Sequence, residues 1–99
     1  MIQELAQIDV KEGHEEIFEA AAAQSMVFFR RAKGCHGARL TKSNEYPRRY
    51  WMIIDWETIE DHMVTFRESA DFQEMLRLSG PYFEGEPKIE HLSEVIKGF

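Results

Sequence analysis

His62 is the residue whose type and position best suit proton chemistry. Ile59, His62, Met63 and Phe66 are spaced as i, i+3, i+4 and i+7, which places them on one face of a helix. A neutral imidazole on a buried helix face could take a proton from an acidic phenol or an activated carbon. The alternative is a structural histidine whose hydrogen bond is satisfied within the core. We predict His62 as a catalytic base and leave that alternative open.

Aromatic residues supply a second kind of candidate, the wall of a binding site. Trp56, just before the helix of His62, could hold an aromatic substrate by stacking. Phe28, Phe66 and Phe83 could line the same site. Core packing is the alternative for each of them, although the wall of a pocket is also part of a core. We therefore predict substrate contacts by these four aromatic side chains.

The remaining histidines are weaker candidates. His91 follows Glu90 in the last predicted strand, and strand geometry points neighbouring side chains to opposite faces, so the two are not an obvious acid–base pair. We predict that His91 lies at a strand edge or a dimer interface. His14 and His36 lie near turns and are predicted to be solvated.

The sequence predicts neither a metal site nor a bound cofactor. No two histidines are spaced as i and i+4, and no Cys-x-x-Cys pair is present. Cys35 lies between Gly34 and Gly37, where a small turn residue is favoured over a nucleophile with a lowered pKa. No glycine motif for phosphate or dinucleotide binding occurs.

Composition limits the classes of partner and location. The 99 residues fit one domain, residues 1–99, and the net charge of −6 argues against nucleic acid as a partner. We predict that Lys42, Arg48 and Arg49 form a solvated hairpin tip. No apolar run approaches the roughly 20 residues that cross a membrane. The start of the chain lacks the features of a signal peptide, and the single cysteine excludes an intramolecular disulfide, so we expect a cytoplasmic protein without membrane contact.

Hydrophobic periodicity predicts six elements in the order β-α-β-β-α-β. Thr58 and Ser69 are predicted to cap the two pieces of the second helical region, the second of which carries Phe72, Met75, Leu76 and Ser79 and ends at Gly80-Pro81. The predicted ranges are residues 2–10, 14–32, 38–43, 49–56, a helical region from 58 to 79, and 88–96.

The first helix carries one broad stripe that is bulky at its ends and small in its middle. Such a stripe either approaches the sheet closely or leaves space for a pocket. Its members are Ile17, Phe18, Ala21, Ala22, Ser25, Phe28, Phe29 and Ala32.

The element order is that of a ferredoxin-like α+β fold, with both helices on one face of an antiparallel sheet. The third strand contains Tyr50-Trp51-Met52-Ile53-Ile54, which is apolar on both faces. The face without helices would then expose Trp51 and Ile53, or their alternates. Because a bare apolar face marks an interface, we predict a homodimer with the two sheets packed face to face.

Two stretches resemble the antibiotic biosynthesis monooxygenase family, and the likeness extends over nearly the whole chain. The first stretch is Trp56-Glu57-Thr58-Ile59-Glu60-Asp61-His62, with Phe66, Ser69 and Phe72 after it. The second is Pro81-Tyr82-Phe83 with Pro87-Lys88-Ile89-Glu90-His91, and Lys11-Glu12-Gly13 also fits. The resemblance implies a dimeric α+β barrel.

The resemblance also implies an activity. It suggests a cofactor-independent monooxygenase that uses dioxygen to oxidise a small aromatic, phenolic or polyketide-like substrate to a quinone. The alternative is a member of the same fold that binds or cyclises such a ligand without oxygenating it. Haem-degrading relatives carry an Asn, a Trp and a His, of which only Trp56 is matched here. The Asn position corresponds to Ala6 and the His position falls near Met75 or Leu76, which argues against haem degradation.

Overall fold

A computed structural model describes all residues, Met1–Phe99. The observed order matches the predicted β-α-β-β-α-β arrangement, with short π and 3-10 turns around the second helix. The elements are β1 (Ile2–Asp9), α1 (Glu15–Arg30), β2 (Cys35–Lys42), β3 (Arg49–Trp56), a π turn (Asp61–Phe66), α2 (Ala70–Ser79), a 3-10 turn (Gly80–Tyr82) and β4 (Lys88–Leu92).

The four strands form one antiparallel sheet in the order β2-β3-β1-β4. In the central pair, Ile2 lies opposite Trp56 and Ile8 opposite Tyr50. On the other side of β1, Glu4 lies opposite His91. This order and direction confirm the predicted ferredoxin-like α+β fold.

Side-chain alternation gives the sheet two different faces. On β3 the buried side chains Tyr50, Met52, Ile54 and Trp56 point towards the helices. Trp51 and Ile53 alternate with them on the face that no helix covers, and both are half-buried. The prediction that this strand is apolar on both faces is therefore confirmed.

The predicted stripe of α1 is confirmed except at its first residue. Its buried side chains are Phe18, Ala21, Ala22, Ser25, Phe28 and Phe29. Ile17 is 50% exposed, so its assignment to the buried stripe was wrong. Phe18 lies under the sheet beside Tyr50, with the ring centroids 4.9 Å apart, and this contact turns the neighbouring Ile17 to the flank of the helix.

The second helical region departs from the predicted α-helical face. Thr58 does cap its start, since Thr58 Oγ1 accepts a hydrogen bond from the backbone N–H of Asp61 at 3.0 Å. The chain then widens into the π turn, in which the N–H of Arg67 donates to the carbonyl of His62 at 3.2 Å. Because each π turn holds more residues than an α turn, a different set of side chains faces the sheet.

The π turn changes which residues of this segment are buried. It buries Asp61, His62 and Phe66, whereas Ile59 and Met63 are exposed. The prediction that Ile59 and Met63 share the buried face was therefore wrong, and that for His62 and Phe66 was right. Ser69 caps α2 as predicted, because its Oγ accepts the N–H of Phe72 at 3.1 Å.

Two strand boundaries differ from those predicted by more than one residue. β2 begins at Cys35 rather than Ala38, with an irregularity between Cys35 and Gly37 that the turn-like composition concealed. β4 ends at Leu92 rather than Ile96, and Ile96 is exposed. Leu92 pairs with Gln3, the second residue of β1, so β4 has almost no partner strand beyond that point.

The predicted hairpin tip is exposed at Lys42 and held by ion pairs at its arginines. Arg48 contacts Glu84 at 2.9 Å, and Arg49 contacts Asp9 at 3.0 Å. These carboxylates neutralise most of the basic cluster.

None of the helices combines the length and apolar character that a membrane crossing requires.

Gly34 joins α1 to β2 at a point where a side chain would be obstructed. Its φ of +77° lies in the left-handed region, and a Cβ built there would overlap the carboxyl group of Asp61. Its carbonyl also accepts the N–H of Glu57 at 2.7 Å, which ties the end of β3 to this turn. Gly34 therefore fixes the place where the π turn begins.

Replacing Gly34 with Ala is predicted to destabilise the fold more than replacing Gly13 with Ala. Both glycines have positive φ, and each substitution costs about 1–2 kcal/mol of backbone strain. Only Gly34 adds an overlap with Asp61, because nothing lies within 4 Å of a Cβ at Gly13. Urea unfolding measures the difference, and equal losses in the two variants would contradict the proposed packing role of Gly34.

Candidate active site

A cavity of about 420 Å³ lies between the sheet and the second helical region. Its wall is mostly apolar, and its volume is typical of a site for a small organic molecule. The side chains from the sheet are Glu4, Ala6, Ile8, Met52, Ile54 and Ile89; those from the helical segments are Phe29, His62, Phe66, Arg67, Phe72, Met75 and Leu76; and Phe83, Glu86 and Pro87 come from the loop before β4.

Two buried titratable groups lie together on this wall. Glu4 and His62 are 4% and 3% exposed, and Glu4 Oε1 is 3.2 Å from His62 Nε2. The same oxygen accepts a hydrogen bond from Trp56 Nε1–H at 2.8 Å. The indole also stacks on the imidazole, with centroids 5.2 Å apart and planes inclined by 16°. A carboxyl and an imidazole in contact form a group that can hold or transfer a proton.

His91 extends this group towards the surface. His91 Nε2 lies 2.8 Å from His62 Nδ1, on the side of the imidazole away from Glu4. His91 is half-buried and projects from the edge strand β4 onto the helix-covered face, opposite Glu4. The predicted strand-edge position is confirmed. Its partner, however, is His62 of the same chain.

The fold explains why these residues meet. Glu4, Trp56 and His91 all occupy inward positions of adjacent strands, so register alone brings them to one end of the sheet. His62 comes from the π turn, whose wider turn directs its ring onto the indole of Trp56. π turns occur frequently at functional sites.

Burial changes the proton affinity of both groups in opposite directions. Loss of water raises the pKa of Glu4 to about 7, against the opposing effects of the Trp56 N–H and the positive charge of Arg67. Loss of water, together with the nearby His91 and the positive charge of Arg67, lowers the pKa of His62 to about 4. At neutral pH the imidazole is therefore neutral, and Glu4 is close to half-ionised.

The structure brings three of the five predicted site residues to the cavity. His62, Phe66 and Phe83 line it. Trp56 is fully buried behind His62, and Phe28 lies outside the wall beneath the guanidinium of Arg31. Trp56 thus contacts the other site residues and has no face available for stacking on a molecule in the cavity.

Glu4 is the site residue that the sequence analysis missed. Its inward position could have been read from the alternation of Ile2, Ala6 and Ile8, which places residue 4 on the buried face of β1. A carboxylate at such a position is costly unless it is paired or used. The pairing itself is not visible in the sequence, because Glu4 is separated from His62 and His91 along the chain.

The clustered groups of this site are arranged in a line. The two nitrogens of His62 face different partners, Glu4 on one side and His91 on the other. No group of three or more His, Cys, Asp or Glu side chains is arranged to hold a metal ion.

Cys35 lies at the start of β2, where burial raises the pKa of its thiol.

Comparison with known proteins assigns the chain to a family. Residues 1–78 match the family model for antibiotic biosynthesis monooxygenases. The chain belongs to the antibiotic biosynthesis monooxygenase family. It is 35% identical over 95 residues to YczJ of Bacillus subtilis, an uncharacterised protein, covering 96% of this chain and all of that one.

Solved structures of other proteins share the fold of this chain. A candidate antibiotic biosynthesis monooxygenase of Bordetella bronchiseptica is 49% identical, with a TM-score of 0.94 and coverage of 96% of this chain and 97% of that one. SnoaB of Streptomyces nogalater, a cofactor-independent oxygenase solved as a mutant, has a TM-score of 0.80 at 14% identity. That alignment covers 98% of this chain and 95% of SnoaB, and at this identity it shows a common fold.

Substituting Glu4 and His62 is predicted to change the pH dependence of stability in opposite directions. Between pH 4.5 and about 7, folded Glu4 keeps a proton that the unfolded chain has released, so its contribution to stability falls as pH rises. Between about pH 4 and 6.5, His62 is protonated in the unfolded chain but not in the folded protein, so the contribution of His62 to stability rises with pH. In the wild type the two slopes oppose each other over pH 4.5–6.5.

We therefore expect Glu4→Gln to leave a stability that rises with pH in that window. His62→Gln should leave a stability that falls with pH. In each variant the free energy of unfolding should change by about 1.4 kcal/mol per pH unit for one proton. Urea unfolding at a series of pH values measures both slopes. Exposed Glu16→Gln is the matched control, and identical curves for Glu4→Gln and the wild type would show that Glu4 is not buried as described.

Proposed function

We propose that this protein is a monooxygenase that uses dioxygen to oxidise a small phenolic substrate to a quinone, without a metal or flavin. The observation that carries the proposal is the apolar cavity with the buried Glu4–His62 pair on its wall. Membership of the family supports the reaction class. SnoaB, which has the same fold, is a cofactor-independent oxygenase, and this is consistent with a reaction that needs no metal or flavin.

The cavity suits a flat, mostly apolar molecule. Phe66, Phe72 and Phe83 supply aromatic surface, and Met75 and Leu76 supply adaptable aliphatic surface. The wall also includes Ala6, at the position of the Asn of haem-degrading relatives, and Met75 and Leu76, near the position of their His. The polar groups are few, and Glu4 and His62 lie together among them, which favours a ring that presents one hydroxyl to this pair.

The chemistry needs one proton acceptor and a dry site. Removal of the phenolic proton gives an electron-rich anion that can pass an electron to dioxygen. Recombination at the para carbon gives a peroxide, and loss of water from it leaves a quinone. One oxygen atom enters the product and the other leaves as water. The protein would orient the substrate, exclude bulk water and transfer the proton at the Glu4–His62 pair.

Oxygen uptake with a panel of monocyclic and bicyclic phenols, in buffer treated with a chelator, tests this function. We expect uptake in step with quinone formation, and one labelled atom in the quinone when isotopically labelled dioxygen is used. Leu76→Trp should abolish turnover by filling the cavity, whereas Val27→Trp on the exposed side of α1 should not. Phenol binding without oxygen uptake would favour the ligand-binding or cyclase alternative.

We also propose that the protein is a homodimer joined through the uncovered face of the sheet. Leu5 lies opposite Ile53, and Trp51 lies nearby on the same face, so three apolar side chains adjoin one another there. The surrounding positions carry polar or charged residues, as a rim around an interface does. Pairing two such faces across a two-fold axis removes the apolar centre of both from water.

Sedimentation at micromolar concentration is predicted to give a mass near twice 11.7 kDa. Ile53→Asp should shift the mass to that of the monomer, because an unpaired charge in an apolar interface costs several kcal/mol. Ala23→Asp, on the exposed side of α1, is the matched control and should remain dimeric. A folded monomer in the wild type would contradict the proposed assembly.

A further inference from the structure

The contacts of His62 leave neither of its nitrogens free for a substrate. Nε2 faces Glu4 at 3.2 Å, Nδ1 faces His91 at 2.8 Å, and one ring face is covered by the indole of Trp56. Of the two nitrogens, Nδ1 is hydrogen-bonded to His91, and Nε2 lies in close polar contact with the carboxyl of Glu4. A molecule in the cavity would therefore meet a His62 whose two nitrogens both face protein groups.

Glu4 is differently placed, because both of its polar contacts fall on one oxygen. Oε1 accepts the hydrogen bond of Trp56 Nε1–H at 2.8 Å and is the oxygen that lies 3.2 Å from His62 Nε2. Oε2 has neither contact. Every fully enclosed polar side-chain atom of the protein has a hydrogen-bond partner, so Oε2 is not fully enclosed, and Glu4 lines the cavity.

We propose that Glu4 is the catalytic residue that exchanges protons with the substrate, through Oε2, and that His62 and His91 are positioning residues. This inference rests on the proposed function. It replaces His62 as the group that touches the reacting atoms. His62 and Trp56 hold one oxygen of the carboxyl, and that fixes the direction of the other.

The donors and acceptors form one consistent series when Glu4 is ionised. Trp56 Nε1–H donates to Oε1, and a proton on His62 Nε2 would face the same oxygen at 3.2 Å. His62 Nδ1 would then carry the lone pair that accepts His91 Nε2–H. His91 therefore selects the tautomer of His62 that supports the carboxylate. A second residue that fixes the tautomer and direction of a histidine is a common arrangement in active sites.

One carboxyl can serve each proton step of the reaction. As a carboxylate, Glu4 takes the phenolic proton on Oε2, and as an acid it returns that proton to the peroxide anion formed with dioxygen. It then removes the hydrogen from the carbon that bears the hydroperoxide, the O–O bond breaks, and the departing hydroxide takes this proton to form water. A phenol and dioxygen give a quinone and water, and the carboxylate is regenerated.

The surroundings of Glu4 suit both directions of transfer. Burial raises its pKa to about 7, near the working pH of a group that must accept and return a proton. The titratable or charged groups around it are His62 from the π turn, Arg67 after that turn, His91 from β4, Cys35 from β2 and Glu86 on the cavity wall. Of these, Arg67 carries the positive charge that favours the carboxylate.

Proton exchange can be measured apart from turnover with para-nitrophenol. This phenol is too electron-poor to be oxidised easily, and its visible absorbance distinguishes the phenol from the phenolate. At a pH just below the pKa of the free phenol, wild-type protein should increase the phenolate fraction of the bound probe. Glu4→Gln should bind the probe as the neutral phenol, whereas His62→Gln and Glu16→Gln should retain phenolate.

Turnover of an oxidised phenol gives the second readout. Glu4→Gln should lower kcat by about 10²-fold or more and remove the rise of the pH–rate profile near pH 7. His62→Phe should keep that rise but move it to higher pH, because the carboxylate loses a close polar neighbour and gains an apolar one. His91→Phe should act in the same direction and more weakly.

The opposite pattern would overturn the proposal. If Glu4→Gln still formed phenolate and kept its pH–rate rise while His62→Gln lost both, His62 would be the base. If wild-type protein took up no oxygen with any phenol, the oxygenase function would be rejected. If it still formed bound phenolate in a way that depends on Glu4, the role of Glu4 in proton exchange would stand. The two failures are thus distinguishable.

Discussion

The buried carboxyl of Glu4 is the constraint on which the arrangement of this site depends. A carboxyl in an apolar interior is destabilising unless it has polar partners. Here Trp56 of β3 donates a hydrogen bond to it, and His62 of the π turn lies in polar contact with it. The two partners also stack on each other, so the indole and the imidazole are positioned by the same contact. A change in any one of Glu4, Trp56 or His62 therefore removes one contact from each of the other two.

The sheet serves two purposes because its faces differ. The inward face combines an apolar wall with the polar group at one end, and α1 and α2 close it from water. The outward face carries Leu5, Trp51 and Ile53 among polar side chains and has no covering element. A short chain with one layer of helices can bury only one face of its sheet, and this is the physical reason for which we propose a second copy on the other.

Local patterns predicted most of the fold because each element carries its own period. β3 was predicted at its observed bounds, and the caps Thr58 and Ser69 both make the expected hydrogen bonds. The failure at Ile59 and Met63 has a specific cause. An α-helical spacing was assumed where the chain forms a π turn, and hydrophobic spacing does not report the hydrogen-bond period of one short turn.

The sequence by itself determined the fold class, the apolar character of both faces of β3 and the choice of His62 as a residue of chemical interest. These follow from alternation, helical periodicity and the cost of burying a titratable side chain, all of which act within a few residues. Only the tertiary structure decided that Glu4 and His91 flank His62, that Trp56 lies behind it, and that the cavity wall includes Phe83 but not Phe28. Those contacts join residues far apart in the chain, and they depend on strand register and on the direction of the π turn.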